Sequence, residues 1–218
     1  MKINGVILLI AFALFAGCAT HPTISPKRLK KGESRYGYTL SLENVFPYMW
    51  YRKGISEVSD VGIRVGLPVY GTGIDYSRLL YLKDNKWDVI NLSWSLNPNY
   101  NMDFTYYKFI KAGENRYRWW GFRGMYIPEG ITGNTSTRIG VLFGSQIKDK
   151  MGFEIGYYHD FNSMPISSVL NPGWAWDSDE NIGRYGDTPH VSDAGIPSEF
   201  SRMTGLSMLV YFQLGNSE

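Results

Sequence analysis

Ile90-Asn91-Leu92-Ser93-Trp94-Ser95-Leu96-Asn97 alternates an apolar with a polar side chain at every step. Successive β-carbons of an extended chain point to opposite faces. The spacing therefore puts Ile90, Leu92, Trp94 and Leu96 on one face of a strand and the Asn and Ser residues on the other. The same period recurs along the chain. Val61, Ile63, Val65 and Leu67 oppose Gly62, Arg64 and Gly66; Ile139, Val141 and Phe143 oppose Arg138, Gly140 and Gly144. Phe153, Ile155 and Tyr157 oppose Glu154, Gly156 and Asp160, and the last run aligns Leu206, Met208, Val210, Phe212 and Leu214.

Turn-forming clusters separate these runs at 56–60, 68–72, 83–86, 97–101, 112–115, 128–135 and 148–150, with a further break at 44–47. Together they predict about ten strands, near 37–44, 48–55, 61–67, 73–82, 87–97, 101–111, 115–127, 136–147, 151–161 and 204–215. Eight or twelve are the alternative counts. Several segments reach the roughly 9–11 residues that a tilted membrane-crossing strand needs. The region before residue 60 is the hardest to assign, because Pro47 cannot donate to a ladder.

Loop lengths alternate as well. If the amino terminus is held at the periplasmic face, the first strand runs outward. Every second connection (56–60, 83–86, 112–115 and 148–150) then lies on the periplasmic side, and all four are short. The other side carries the 128–135 loop and the long segment 162–203. Short inner turns, longer outer loops, Gly-rich alternating strands such as 61–67 and 138–144, and a terminal alternating strand resemble the small outer-membrane β-barrel proteins of Gram-negative bacteria. The resemblance spans most of residues 36–215. It implies an all-β, antiparallel up-and-down transmembrane barrel, inserted as a monomer into outer-membrane lipid by the barrel-insertion machinery. Trp50, Tyr81, Trp87, Tyr107, Tyr117 and Tyr126 fit aromatic girdles at the two interfaces.

The first seventeen residues read as a signal peptide. Lys2 supplies the positive charge, and Gly5 to Gly17 is an unbroken apolar or small run. As a helix it would rise only about 20 Å, short of a hydrocarbon core of about 30 Å. Phe15-Ala16-Gly17-Cys18 resembles the lipobox of bacterial lipoproteins, although that family favours Leu, Val or Ile where Phe15 stands. The resemblance implies that Cys18, the chain's one cysteine, carries diacylglycerol and an N-acyl chain such as palmitate. More than one acyl chain makes a stable anchor. Ala19 after the cysteine is consistent with sorting to the outer membrane. Residues 18–35 hold Pro, Ser and the basic set Lys27, Arg28, Lys30 and Lys31, and read as a lipidated tether leading into a barrel domain at 36–218.

Of 218 residues, 16% are aromatic and 24 are Gly, and the net charge is +2. That balance gives no electrostatic case for nucleic acid. No zinc-protease, CxxC or phosphate-loop motif is present, so no cofactor, metal or catalytic group is expected. The acidic stretch 177–181 lacks the Gly and Glu spacing of an EF-hand and reads as a solvated loop tip. His159 faces outward by parity, as an interfacial residue.

Alternation forces Arg64, Arg138, Glu154 and Asp160 inward; with Arg123 they make up the expected lumen charge network, and Asp75, Asp103 and Arg78 are candidates to join them. Buried charges must pair or meet water, which leaves a plugged lumen or a narrow polar pore for a small solute. Trp174 and Trp176 in the long segment are candidates for recognising an extracellular partner. The expected protein is a non-enzymatic outer-membrane lipoprotein, structural or weakly pore-forming. The alternatives are a lipid-tethered periplasmic lipocalin-like barrel that holds an apolar ligand, and an outer-membrane lipid-modifying enzyme.

Overall fold

The computed structural model describes residues 21–41, 47–66, 71–96, 100–128, 135–148, 150–161 and 206–217. Ten strands form: β1 (Ser34–Ser41), β2 (Tyr48–Gly54), β3 (Ser59–Gly66), β4 (Gly73–Lys83), β5 (Lys86–Ser95), β6 (Met102–Lys111), β7 (Tyr117–Ile127), β8 (Ser136–Lys148), β9 (Met151–Asp160) and β10 (Leu206–Ser217). Each pairs antiparallel with its sequence neighbours, and β1 pairs with β10. The result is a closed up-and-down barrel with no free sheet edge. All ten expected strands are present, with ends shifted by up to three residues. Pro47 sits just outside β2, where its missing N–H costs no ladder bond.

Alternation of burial follows alternation of sequence. Along β7, Tyr117, Trp119, Gly121, Arg123, Met125 and Ile127 are buried, while Arg118, Phe122 and Tyr126 are exposed. Along β5, Asn91, Ser93 and Ser95 are buried, while Leu92 and Trp94 are exposed.

Large inward side chains are accommodated by small ones opposite them. Gly144 is the register partner of Trp119, and a β-carbon at Gly144 would fall on the Trp119 indole. Gly73 faces Arg64 in the same way. A ten-stranded barrel has a narrow interior, so Trp119 and Arg64 use such vacancies across the ladder, whereas Phe109 has Trp87 and Trp119 as register partners and packs ring against ring.

The barrel has two unlike ends. One carries the connections after β1, β3, β5, β7 and β9, and is the loop end. The other carries the shorter connections after β2, β4, β6 and β8, and is the turn end; both β1 and β10 have their outer termini there. In the two-residue turn between Lys83 and Lys86, Asp84 takes a φ of 52°. Asp tolerates that left-handed region better than most residues.

Candidate functional site

The lumen holds the largest concentration of buried chemistry, and it is filled. At the turn end it is aromatic, and Trp50, Trp87, Tyr107 and Tyr117, expected in the interfacial girdles, are buried inside the barrel instead, while Tyr81 and Tyr126 are exposed. Trp87 stacks on Phe109 with ring centroids 5.7 Å apart, Tyr107 on Phe109 at 5.5 Å, and Trp119 tilts against Phe109 at 5.8 Å. The rest of the interior holds guanidinium and carboxylate groups on inward positions of neighbouring strands.

Arg123 of β7 is fully buried. Its Nε donates to Thr105 Oγ1 at 2.8 Å and its Nη1 to the Tyr158 hydroxyl at 2.9 Å. Its Nη2 donates to the Tyr107 hydroxyl at 2.6 Å and to Glu154 Oε1 at 3.1 Å. The other oxygen of Glu154 accepts from Trp119 Nε1 at 3.0 Å. A second centre forms on Arg52 of β2, which reaches Asp75 Oδ2 at 2.7 Å and Ser77 Oγ at 2.6 Å and pairs with Asp60. Asn91 donates to the same Asp75 oxygen at 2.8 Å. Arg64 spreads over Ser93 Oγ at 3.2 Å and Ser95 Oγ at 2.6 Å. At Arg123 and Arg52 these bonds answer the requirement that a buried ion be paired and hydrogen-bonded, whereas those of Arg64 to Ser93 and Ser95 go to neutral hydroxyls.

The segment expected to be a solvated tether lies inside the barrel over much of its described length. His21, Pro22, Thr23, Ile24, Pro26 and Leu29 are all buried. His21 Nδ1 meets Asp103 Oδ2 at 3.3 Å, and its ring tilts against Tyr158 at 5.2 Å. Because a carboxylate only accepts, Nδ1 carries the hydrogen. The Tyr48 hydroxyl donates to the His21 carbonyl at 2.8 Å. Thr23 Oγ1 lies 2.6 Å from Thr39 Oγ1, and its carbonyl accepts from Arg52 at 3.2 Å. Ile24 packs into the aromatic cluster. The barrel wall thus supplies partners for backbone groups that a free tether would leave to water.

Of the expected lumen network, Arg64, Arg123, Arg138 and Glu154 are buried, and Arg123 and Glu154 are in direct contact. Arg138 is in backbone register with Asp160, whose side chain lies outside the described residues, as do Cys18, Trp174 and Trp176. Asp75 and Asp103 are inward as expected. Arg78 is not: it is exposed on the outer face. It stands three positions from Asp75, which gives it the opposite parity on a regular strand.

Sequence reading missed Arg52 and His21. The strand near 48–55 was expected and its parity puts Tyr48, Trp50 and Arg52 on one face, but Arg52 was not carried into the lumen network. His159 is on the outer face, covered by Tyr157, whose hydroxyl is 3.3 Å from Nδ1, and by the Phe161 ring at 4.7 Å. Among the described residues, no three His, Cys, Asp or Glu side chains converge as a metal site would require. No family model, curated protein or solved structure matches the chain.

Proposed function

We propose that this protein is an outer-membrane β-barrel lipoprotein, anchored through Cys18, whose lumen is closed and whose role is structural rather than enzymatic. The observation that carries the reading is the inverted polarity of the barrel. Leu92, Phe104 and Ile139 are 51%, 50% and 55% exposed on the outer wall, while Arg64 and Arg123 inside are 1% and 0% exposed. Apolar side chains cover the outer wall on most strands, including Met49, Val65, Ile74, Val141, Ile155 and Met208. An apolar surface of that extent in water marks a site that something apolar covers, and a membrane barrel presents it to lipid.

A lipocalin-like protein needs the reverse, an apolar cavity with room for a ligand. Here residues 21–29 and the inward Trp and Tyr side chains take up the lumen. The same filling speaks against an open pore. Trp174 and Trp176 would then serve an extracellular partner from the long segment 162–203.

The test uses a chain that starts at Ala19 and is refolded in detergent, so that neither attached lipid nor the apolar signal segment contributes. Purified in detergent and then exchanged into detergent-free buffer, it should aggregate, and it should stay monodisperse when detergent is kept. A monodisperse monomer in plain buffer would contradict the membrane reading.

A further inference from the structure

The contacts of residues 21–33 are ordered along the barrel axis. His21 meets Asp103, the second residue of β6, together with Tyr48, the first of β2, and Tyr158, near the end of β9. All three lie at the loop end. Thr23 Oγ1 is still at that level, on the Tyr48 hydroxyl and on Thr39, the register partner of Tyr48, while its carbonyl accepts from Arg52, farther along β2. Arg28 donates to the Glu57 carbonyl in the β2–β3 turn at 3.0 Å, and Gly32 N–H donates to the Gly54 carbonyl at 2.9 Å. Those partners belong to the turn end. The chain therefore descends the whole lumen before it reverses at Gly32 (φ 90°), a conformation that glycine adopts without strain, and enters β1.

We infer that the lipid anchor and the long loops occupy the same face of the membrane. The amino-terminal segment threads the lumen from the loop end, so the acylated terminus emerges beside the loops and not beside the turns. This rests on the lipoprotein reading. Cys18 is three residues upstream of His21, and three residues extend at most about 11 Å. From Asp103 to the far end of β6 the tilted strand covers about 20 Å of axial distance. The terminus has no reach back to the turn end, and that route is filled by its own downstream residues. Loops are characteristically longer on the outer side of such barrels. The acyl chains then enter the outer leaflet, and the expectation of an anchor on the periplasmic face is reversed. The segment acts as a strap: the lipid fixes one end, β1 fixes the other, and Thr23 and Ile24 between them close the barrel.

Three measurements on the full-length protein in intact Gram-negative cells test this. A Thr23→Cys/Thr39→Cys pair should form a disulfide in the folded barrel; its absence would overturn the threading. A membrane-impermeant maleimide should label Thr135→Cys at the loop end and not Glu114→Cys at the turn end, and the opposite pattern would overturn the outward placement. A site for a specific protease, flanked by Gly-Ser spacers and inserted between Thr20 and His21, should be cut by protease added outside, releasing the radioactive fatty-acid label from the barrel. A site cut only after lysis would put the terminus on the other face and overturn the inference. If the wild-type protein takes up no labelled fatty acid at Cys18, the lipoprotein reading fails. Disulfide formation and external cleavage would then still report where the terminus emerges.

Discussion

Replacing Arg123 by Met removes the hub of the buried network while keeping much of its bulk. The guanidinium serves Thr105, Tyr107, Tyr158 and Glu154. The three hydroxyl partners each lose a donor, at a net loss of about 0.5–1.5 kcal/mol for a typical bond. Glu154 is different. It keeps the Trp119 N–H at 3.0 Å but loses its cationic partner inside the barrel. Removing one member of a buried ion pair costs about 3–5 kcal/mol, because an uncompensated charge remains. Arg123→Met should therefore destabilise the barrel by about 4 kcal/mol or more. Arg123→Met/Glu154→Gln removes both charges and should cost less than the sum of the two single changes, with a coupling of about 2–3 kcal/mol. The assay is urea unfolding in phospholipid vesicles followed by tryptophan fluorescence, with all three variants and the parent compared. A loss below about 1 kcal/mol for Arg123→Met would refute the network as described, as would additivity within about 0.5 kcal/mol.

Leu92→Arg puts a charge on the outer wall and should cost about 2–4 kcal/mol if the position lies near the bilayer midplane; vesicle unfolding measures it, and an unchanged midpoint would remove Leu92 from the lipid face. Ile24→Ala should cost about 2–4 kcal/mol in the same assay, because Ile24 is packed in the aromatic cluster, whereas a solvated tether would change stability by no more than about 0.5 kcal/mol. Cys18→Ala should abolish fatty-acid incorporation and block signal cleavage of the lipoprotein type; continued labelling in that variant would place the lipid elsewhere. Gly144→Val should prevent assembly, since its side chain would occupy the space of the Trp119 indole, and a heat-modifiability gel reads out whether the barrel closes.

Period-two alternation made the ten strands legible, because one face meets the lumen and the other does not. Leu92 against Ser93 and Phe122 against Arg123 are on opposite walls as the sequence pattern requires. Turn residues placed the strand ends to within three positions. Arg123 and Glu154 were legible as inward charges, but their contact depends on barrel shear, which strand periodicity does not carry.

The strap was not legible. His21-Pro22-Thr23-Ile24 has no period, and its Pro and hydroxyl content is that of a solvated linker. What holds it is an imidazole–carboxylate contact to Asp103 and bonds from Tyr48 and Arg52 to its carbonyls, all to residues far along the chain. Arg78 was misplaced for a different reason: charge suggested the interior, but parity with the inward Asp75 already put it outside.

The stretch 90–95 offers the most direct test of whether this barrel faces lipid outside and is closed within. In a Cys18→Ala background, single cysteines at Ile90 through Ser95 can each carry a nitroxide in vesicle-inserted protein, with collision rates measured against oxygen and against a water-soluble nickel chelate. The barrel described here predicts a period of two. Labels at 90, 92 and 94 should collide strongly with oxygen and weakly with nickel, as in hydrocarbon, while labels at 91, 93 and 95 should be shielded from both. Strong nickel collisions at 92 and 94 would put the outer wall in water and contradict the membrane barrel, and strong nickel collisions at 91 and 93 would show an open, water-filled lumen.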